Sequence, residues 1–410
     1  MIGSGIFMLP AALAAFGGIS IVGWMCASLG AVLLAVVFGY LGKLVPEANG
    51  GPFAYTRVGM GDFAAYLVAW GYWVSIWCAN AAITVAVVGY LAVFFPILET
   101  SAMAAIATGL AIVWFFTWIN SKEIKTVALV QIIATTLKIA PIILIGIWGM
   151  FYVQAENFTP FNLTAESDFS VITTTTMLTF FAFLGMESAT IPSGSVQDSE
   201  TTVRKATVFG TLATVVIYII SSVAIMGVIP AEVLAESSAP FADVAEIFWG
   251  DAAKYIVTAG AVIATMGALN GWILMQGAIP MAAAHAGLFP KIFGKVNTAH
   301  SPIYGIVISS SIVSIFMLFN YSNSLVDTFS YMMQLTTLAV TIPFLFSIIS
   351  LVRLLKRSSA GFYKKCAVAM SAFAFTVWIM VGCGSEVLIS GLVLFLLGIP
   401  FYFLISREKA

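Results

Sequence analysis

Apolar residues in this chain come in long, nearly uninterrupted blocks divided by short polar punctuation. Eleven of them, at residues 20–42, 64–95, 102–119, 127–152, 171–196, 206–229, 253–283, 302–320, 328–352, 366–383 and 387–405, are long enough to cross a bilayer as helices. The hydrocarbon layer is about 30 Å thick and takes roughly 20 helical residues to span. A shorter block, Gly5 to Ala15, precedes them. At 1.5 Å per residue it reaches only about 16 Å and cannot cross alone. The pattern predicts an all-α membrane protein whose first span is cut or broken.

Charge supplies the orientation, because basic residues resist translocation and collect in cytoplasmic loops. If the short first block runs outward, Lys43 and Arg57, Lys122 and Lys125, Arg204 and Lys205, and Lys291 and Lys295 fall on alternate loops. So do Arg353, Lys356, Arg357, Lys364 and Lys365, and the tail residues Arg407 and Lys409. Of 17 Lys and Arg, only Lys254 falls in a predicted outer loop and only Lys138 inside a span. The outer loops are acidic, as in "AENFTPFNLTAESD" and "AEVLAESSAPFADVAEIFWGD". The expected topology is multi-pass with both termini cytoplasmic, and twelve spans if an inner half completes the first. No charged region precedes the first block and no small-residue cleavage site follows it, so a cleaved signal peptide is not expected.

Composition agrees on the solvent. Hydrophobic residues make up 61% of the 410 and charged residues 9%, with mean hydropathy +1.05, against about 25% charged in soluble domains. A net charge of −1 without basic runs gives no footing for nucleic acid. Cys26, Cys78, Cys366 and Cys383 form no CxxC pair and have no His nearby, so they read as packing residues rather than metal ligands. The two histidines, His285 and His300, fall in a predicted cytoplasmic loop, and no nucleophile with a base accompanies them. Neither an enzyme nor a bound cofactor is expected.

Two places interrupt the apolar blocks with residues a membrane helix does not need. "MIGSGIF" and "FLGMESA" both put Gly and Ser where a span should continue. Backbone groups freed by a break are tolerated in a membrane only where they line a protein cavity or bind a ligand. The breaks lie five spans apart, one in the first span of each half, the arrangement of transporters with inverted repeats. In these, half-helix N-termini face an anionic substrate group near the midplane. Glycine also serves simple close packing of helices, which is the plainer reading of GSG. GSG does not extend to GxGxxG, so a dinucleotide site has no support. Ionisable residues inside a span are costly and usually functional. Lys138, in "ATTLKIAPIILIG", and Glu187, in "FLGMESA", are the two candidates. A snorkelling lysine and a carboxylate that caps the second half helix are their structural alternatives.

The stretches "GSGIFMLPAALAAFGG", "PEANGGPFAYTRVGMG", "FLGMESA", "SAPFADVAEIFWGD" and "NGWILMQGAIPMAAAHAGLFPKIFGKVN" together resemble the amino acid, polyamine and organocation superfamily. Within it the chain is most similar to bacterial basic amino acid and polyamine antiporters, collinearly over essentially its whole length. The resemblance implies a five-plus-five inverted-repeat transporter of the bacterial inner membrane. Residues 1–152 would form a first repeat lacking the inner half of helix 1, residues 171–352 the second repeat, and residues 366–405 two accessory helices. It implies an amino acid or polyamine substrate, protons as candidate coupling ions and a homodimer as candidate assembly.

The resemblance also implies a site. Ile2, Gly3, Ser4 and Gly5 would bind the substrate carboxylate, and carbonyls near Met1, Phe181 and Leu184 its α-amino group. Asn80, Trp272 and Thr336 would meet the substrate side chain under an aromatic lid, Phe181. Glu187, Tyr72 and Phe344 would form an inner gate. Asn80 and Thr336 could instead hydrogen-bond between helices, and the aromatics could simply pack. Three departures from the antiporter pattern bear on substrate. Phe181 stands where the lid is a Trp, the ring that attracts cations best; Phe344 replaces a Tyr; and Lys138 resembles the lysine of proton-coupled relatives. The expectation is a secondary active antiporter working by alternating access, with a cationic substrate first. Its rivals are a proton-coupled symporter of broader or neutral specificity and, from another class, a channel. A channel would ordinarily show a repeated filter or symmetric ring, and none is visible.

Overall fold

The computed structural model describes residues 3–45, 50–122, 139, 141–190, 199–320, 324–358 and 361–407. All regular structure among the described residues is helical. In chain order the α-helices are α1 Ser4–Ala14, α2 Ser20–Leu44, α3 Pro52–Met60, α4 Asp62–Ala92, α5 Ile97–Thr100 and α6 Ala102–Asn120. Then follow α7 Pro141–Tyr152, α8 Asp168–Phe180, α9 Ser199–Val228, α10 Ala231–Ala235, α11 Pro240–Trp249 and α12 Asp251–His285. The last are α13 Ile303–Asn320, α14 Leu325–Leu354, α15 Phe362–Val381, α16 Gly384–Leu396 and α17 Gly398–Arg407.

Among the described residues, nine helical segments are long and apolar enough to cross a membrane, with Ser4–Ala14, Pro141–Tyr152 and Ile303–Phe319 as shorter apolar helices. Where described they fall on the predicted blocks; residues 127–138 and 140 of the block at 127–152 and residues 191–196 of the block at 171–196 lie outside the described residues. α4 and α12 begin a little before their apolar runs, at Asp62 and Asp251, where an acid suits the positive end of the helix dipole. The block at 387–405 divides into α16 and α17 around Leu397. There two α4 side chains take backbone oxygens: Trp70 Nε1 donates to Leu394 O at 3.0 Å and the Tyr66 hydroxyl to Gly398 O at 2.5 Å.

Burial sorts the helices into centre and rim. Every residue of α1 is buried, as is 94% of the apolar stretch of α4, against 17% for Gly384–Phe403. A helix that is apolar all round belongs inside a larger bundle. α1 accordingly touches α4, α8, α9, α10, α11, α12 and α14, while α4 packs most extensively on α14 and α12, and α2 on α8 and α9. Lipid is as apolar as leucine, so polar contacts do much of the holding. Asn120 Nδ2 donates to Asn270 Oδ1 at 2.9 Å, and Ser301 Oγ to Asn120 O at 2.6 Å. One hydroxyl ties three elements near the start of α1: Tyr90 donates to Phe7 O at 2.9 Å and accepts from the Phe241 N–H of α11 at 3.3 Å.

Candidate functional site

α1 starts abruptly inside the protein. Its N-cap, Gly3, is a residue without a side chain, so the first-turn N–H groups receive no side-chain cap; such groups need partners from elsewhere. The backbone of Gly3 is met by the Tyr218 hydroxyl. Ser4 Oγ is buried and has no hydrogen-bond partner among the described residues. Ile2 lies outside the described residues.

Opposite stands a second irregular segment. α8 ends at Phe180, followed by a 3₁₀ turn at Phe181–Phe183, an extended Leu184 (φ −61°, ψ 142°) and Gly185 at φ +93°. A second 3₁₀ stretch, Met186–Thr190, follows. Gly185 sits in the left-handed region that a side chain disfavours, which explains a glycine in the middle of "FLGMESA". The two segments meet closely: a Cβ on Gly5 would lie 3.1 Å from Ala182 Cα and 3.3 Å from Phe181 Cδ1.

Between them lies a cavity lined by Gly3, Ser4, Gly5, Phe181, Ala182 and Leu184, with Ala79 and Ile83 of α4 and Trp272 of α12. Its volume is about 30 Å³, room for roughly one or two waters and less than an amino acid. The site is therefore contracted. Phe181 meets the ring of Phe329 edge-on at 5.9 Å.

The sequence matches the amino acid permease family over residues 1–405. The chain belongs to that family. A Bacillus subtilis (strain 168) relative provisionally named an arginine/ornithine antiporter is 31% identical over 446 residues, covering 100% of this chain and 94% of its own. A cadaverine/lysine antiporter of Escherichia coli (strain K12) is 31% identical over 409 residues, 98% of this chain and 91% of the relative. An arginine/agmatine antiporter of Chlamydia pneumoniae is 29% identical over 431 residues, 100% and 88% respectively. The permease is thus a multi-pass membrane transporter rather than an enzyme.

Not every expected site residue of the permease borders the cavity. Glu187 is fully buried; its Oε1 accepts from the Tyr72 hydroxyl at 2.6 Å, and its two oxygens lie 3.3 and 3.2 Å from the Gly185 N. The carboxylate thus pins the helix break to α4. Phe344, expected with this pair, packs its ring against Phe38 at 5.2 Å and Phe180 at 6.4 Å. Thr336 is buried and spends its hydroxyl on Met332 O of its own helix, 2.7 Å away. Asn80, buried on α4, donates to Gln276 Oε1 of α12 at 2.7 Å. Lys138 lies outside the described residues. His285, expected in a loop, ends α12, exposed, with Nε2 3.2 Å from Gly294 O.

Gln276, Tyr90 and Tyr218 escaped the sequence reading. Gln276 was visible as an uncharged polar residue in an apolar span, whereas the tyrosines resembled any other packing aromatic. Beside α11, Lys254 Nζ lies 2.6 Å from Glu246 and 3.9 Å from Asp243. Burial pushes the Asp243 carboxyl above the usual range, with the Ser237 hydroxyl and Lys254 pulling it back. Glu246 is held below its usual range by the Lys254 hydrogen bond.

Proposed function

We propose that this permease is an amino acid antiporter that exchanges a cationic amino acid for its amine product by alternating access. The single observation that carries the reading is the meeting of an uncapped helix start, with the Ser4 hydroxyl unpartnered among the described residues, and the Phe181–Gly185 break across one cavity. An uncapped N-terminus offers N–H groups and a positive dipole end to a carboxylate. The break offers carbonyl oxygens to an ammonium group. Between them they recognise a zwitterion without an ionised side chain of opposite sign in the cavity wall. The names of the relatives supply the substrate class and the exchange mode.

In this reading twelve spans in two inverted repeats cross the bacterial inner membrane, with both termini cytoplasmic. The three shorter apolar helices count among the spans. The Glu187–Tyr72 pair couples occupancy to the inner gate, and Lys138 exchanges a proton or braces the broken first helix. One observation favours a second reading: the cavity walls contributed by Ala79, Ile83, Phe181 and Leu184 are apolar, which suits a neutral side chain and proton-coupled uptake.

Counterflow in proteoliposomes tests the proposal. Vesicles preloaded with unlabelled ornithine, lysine, arginine or their diamines should accelerate uptake of the labelled amino acid. Uptake indifferent to preloading with every one of them would overturn antiport.

A further inference from the structure

A second space lies apart from the Ser4 cavity, on the flank of α4 that meets α13, α17 and the turn after α12. Its volume is about 190 Å³, against about 30 Å³ at Ser4. Trp70, Trp73 and Trp77 form one wall, their ring centres 5.7, 6.0 and 4.5 Å apart in pairs. Phe289 and Phe293 close it from the turn, 5.5 and 5.2 Å from the Trp73 ring. Phe401 of α17, another lining residue, is 48% exposed, so the space opens on the flank of the bundle. The polar atoms of the wall are spent or covered. Trp70 Nε1 and the Tyr66 hydroxyl hold the backbone at the α16–α17 division, and Trp73 Nε1 lies 2.8 Å from Ser309 Oγ. Trp77 Nε1, without a partner among the described residues, is covered by protein and does not reach the space. A water there lacks the two to four partners it needs, and a peptide would strand its own polar groups. Hydrocarbon fits.

Length and charge narrow the choice of hydrocarbon. Along α4 the lining runs from Tyr66 to Trp77, about 16 Å at 1.5 Å per residue. One leaflet is half of the roughly 30 Å hydrocarbon layer, so the slot has the reach of a single acyl chain. The turn packs against the Tyr66 end, near the start of α4, with Phe289 5.8 Å from the Tyr66 ring. It also carries Lys291 and Lys295, both exposed and interleaved with Ile292 and Val296, which are 42% and 44% exposed. Lysines set among exposed apolar side chains suit the level where hydrocarbon gives way to headgroups, and basic groups beside an apolar slot attract anionic lipid. We infer that the slot is a binding site for one anionic phospholipid, whose acyl chain lies along the three tryptophans and whose phosphate meets Lys291 and Lys295. The site is separate from the Ser4 cavity, so the inference does not depend on the transport reading.

Native mass spectrometry of the delipidated full chain, titrated with phosphatidylglycerol or with phosphatidylcholine of the same acyl chains, counts bound lipids and gives the dissociation constant of the first. The wild type should bind one phosphatidylglycerol about twentyfold more tightly than phosphatidylcholine, roughly fivefold for each lysine. Lys291→Gln combined with Lys295→Gln should erase that preference and leave phosphatidylcholine binding unchanged. Ile308→Trp, which puts a larger side chain on the α13 wall of the slot and keeps both lysines, should weaken both lipids roughly tenfold, the loss of about two buried methylene groups. Equal binding of the two lipids by the wild type, or a preference unchanged in the lysine pair, overturns the inference. Lipid binding untouched by folded Ile308→Trp also overturns it, and a wild-type dimer that this variant splits would then name a second copy as the occupant. If Ile308→Trp does not fold, the lysine pair, which is exposed, decides.

Discussion

Gly5→Ala places the smallest possible obstacle where α1 meets the broken segment. The new Cβ would sit 3.1 Å from Ala182 Cα, 3.2 Å from Ala182 Cβ and 3.3 Å from Phe181 Cδ1. Carbon atoms rest at about 3.5–4.0 Å, so the two segments must part by roughly 0.3–0.5 Å, and one obstructing atom is backbone. Overpacking of this kind costs about 1–3 kcal/mol. The displacement falls on the cavity wall and on Phe181. A substrate held between these two segments bears that cost, so the half-saturation constant for counterflow of labelled ornithine should rise about 5- to 150-fold. Gly260→Ala is the matched control: its Cβ would lie 3.6 Å from Pro141 Cγ, an ordinary contact. Adding Ala182→Gly to Gly5→Ala removes one obstructing atom but not the Cα, so recovery should be partial. Gly5→Ala protein that is folded and transports like the Gly260→Ala control would refute the argument that this approach shapes the site.

Three further outcomes are expected. Ser4→Ala should raise the half-saturation constant for the amino acid about tenfold, through one lost bond to a carboxylate, and leave that of the diamine, which has no carboxylate, unchanged; equal effects in a counterflow assay would exclude Ser4 as a carboxylate donor. Tyr72→Phe should lower turnover about tenfold alone and add nothing in a Glu187→Leu background, which has no acceptor for the hydroxyl, because the two share one 2.6 Å bond; losses that simply add in the double-mutant cycle would separate them. Burial raises the Asp243 carboxyl above its ordinary value, so the folded state holds a proton that the unfolded chain has released, and stability falls as pH rises through that interval. Asn at position 243 carries no such penalty. Asp243→Asn should therefore raise the Tm near neutral pH and match wild type below the ordinary carboxylate range, and a lower Tm at neutral pH would contradict the sign.

Much of the architecture was legible because a bilayer imposes a coarse, one-dimensional rule: apolar runs of a certain length become helices. The same rule exposed the Gly185 break, since Gly185, Glu187 and Ser188 crowd polar and flexible residues into a place where a span should continue. It could not reveal the division near Leu397, where the cause is two hydroxyl and indole donors from α4, distant in the chain. Nor could it show that Asn80 is engaged by Gln276, or that Thr336 turns its hydroxyl onto its own helix. A side chain's hydrogen-bond partner depends on which helices become neighbours, and spacing along one helix carries no record of that. Phe344 illustrates the same limit, because an aromatic in an apolar run is compatible with any neighbour until packing selects Phe38 and Phe180.

The Tyr90 hydroxyl has a consequence for movement. One oxygen serves two main-chain groups, the Phe7 carbonyl and the Phe241 amide, where dense packing leaves no substitute. Displacing α11 from α1 strands both peptide groups at once, at about 1–3 kcal/mol each. Helices α11 and α1 and the C-terminal end of α4 are consequently shackled, and travel as one body or not at all.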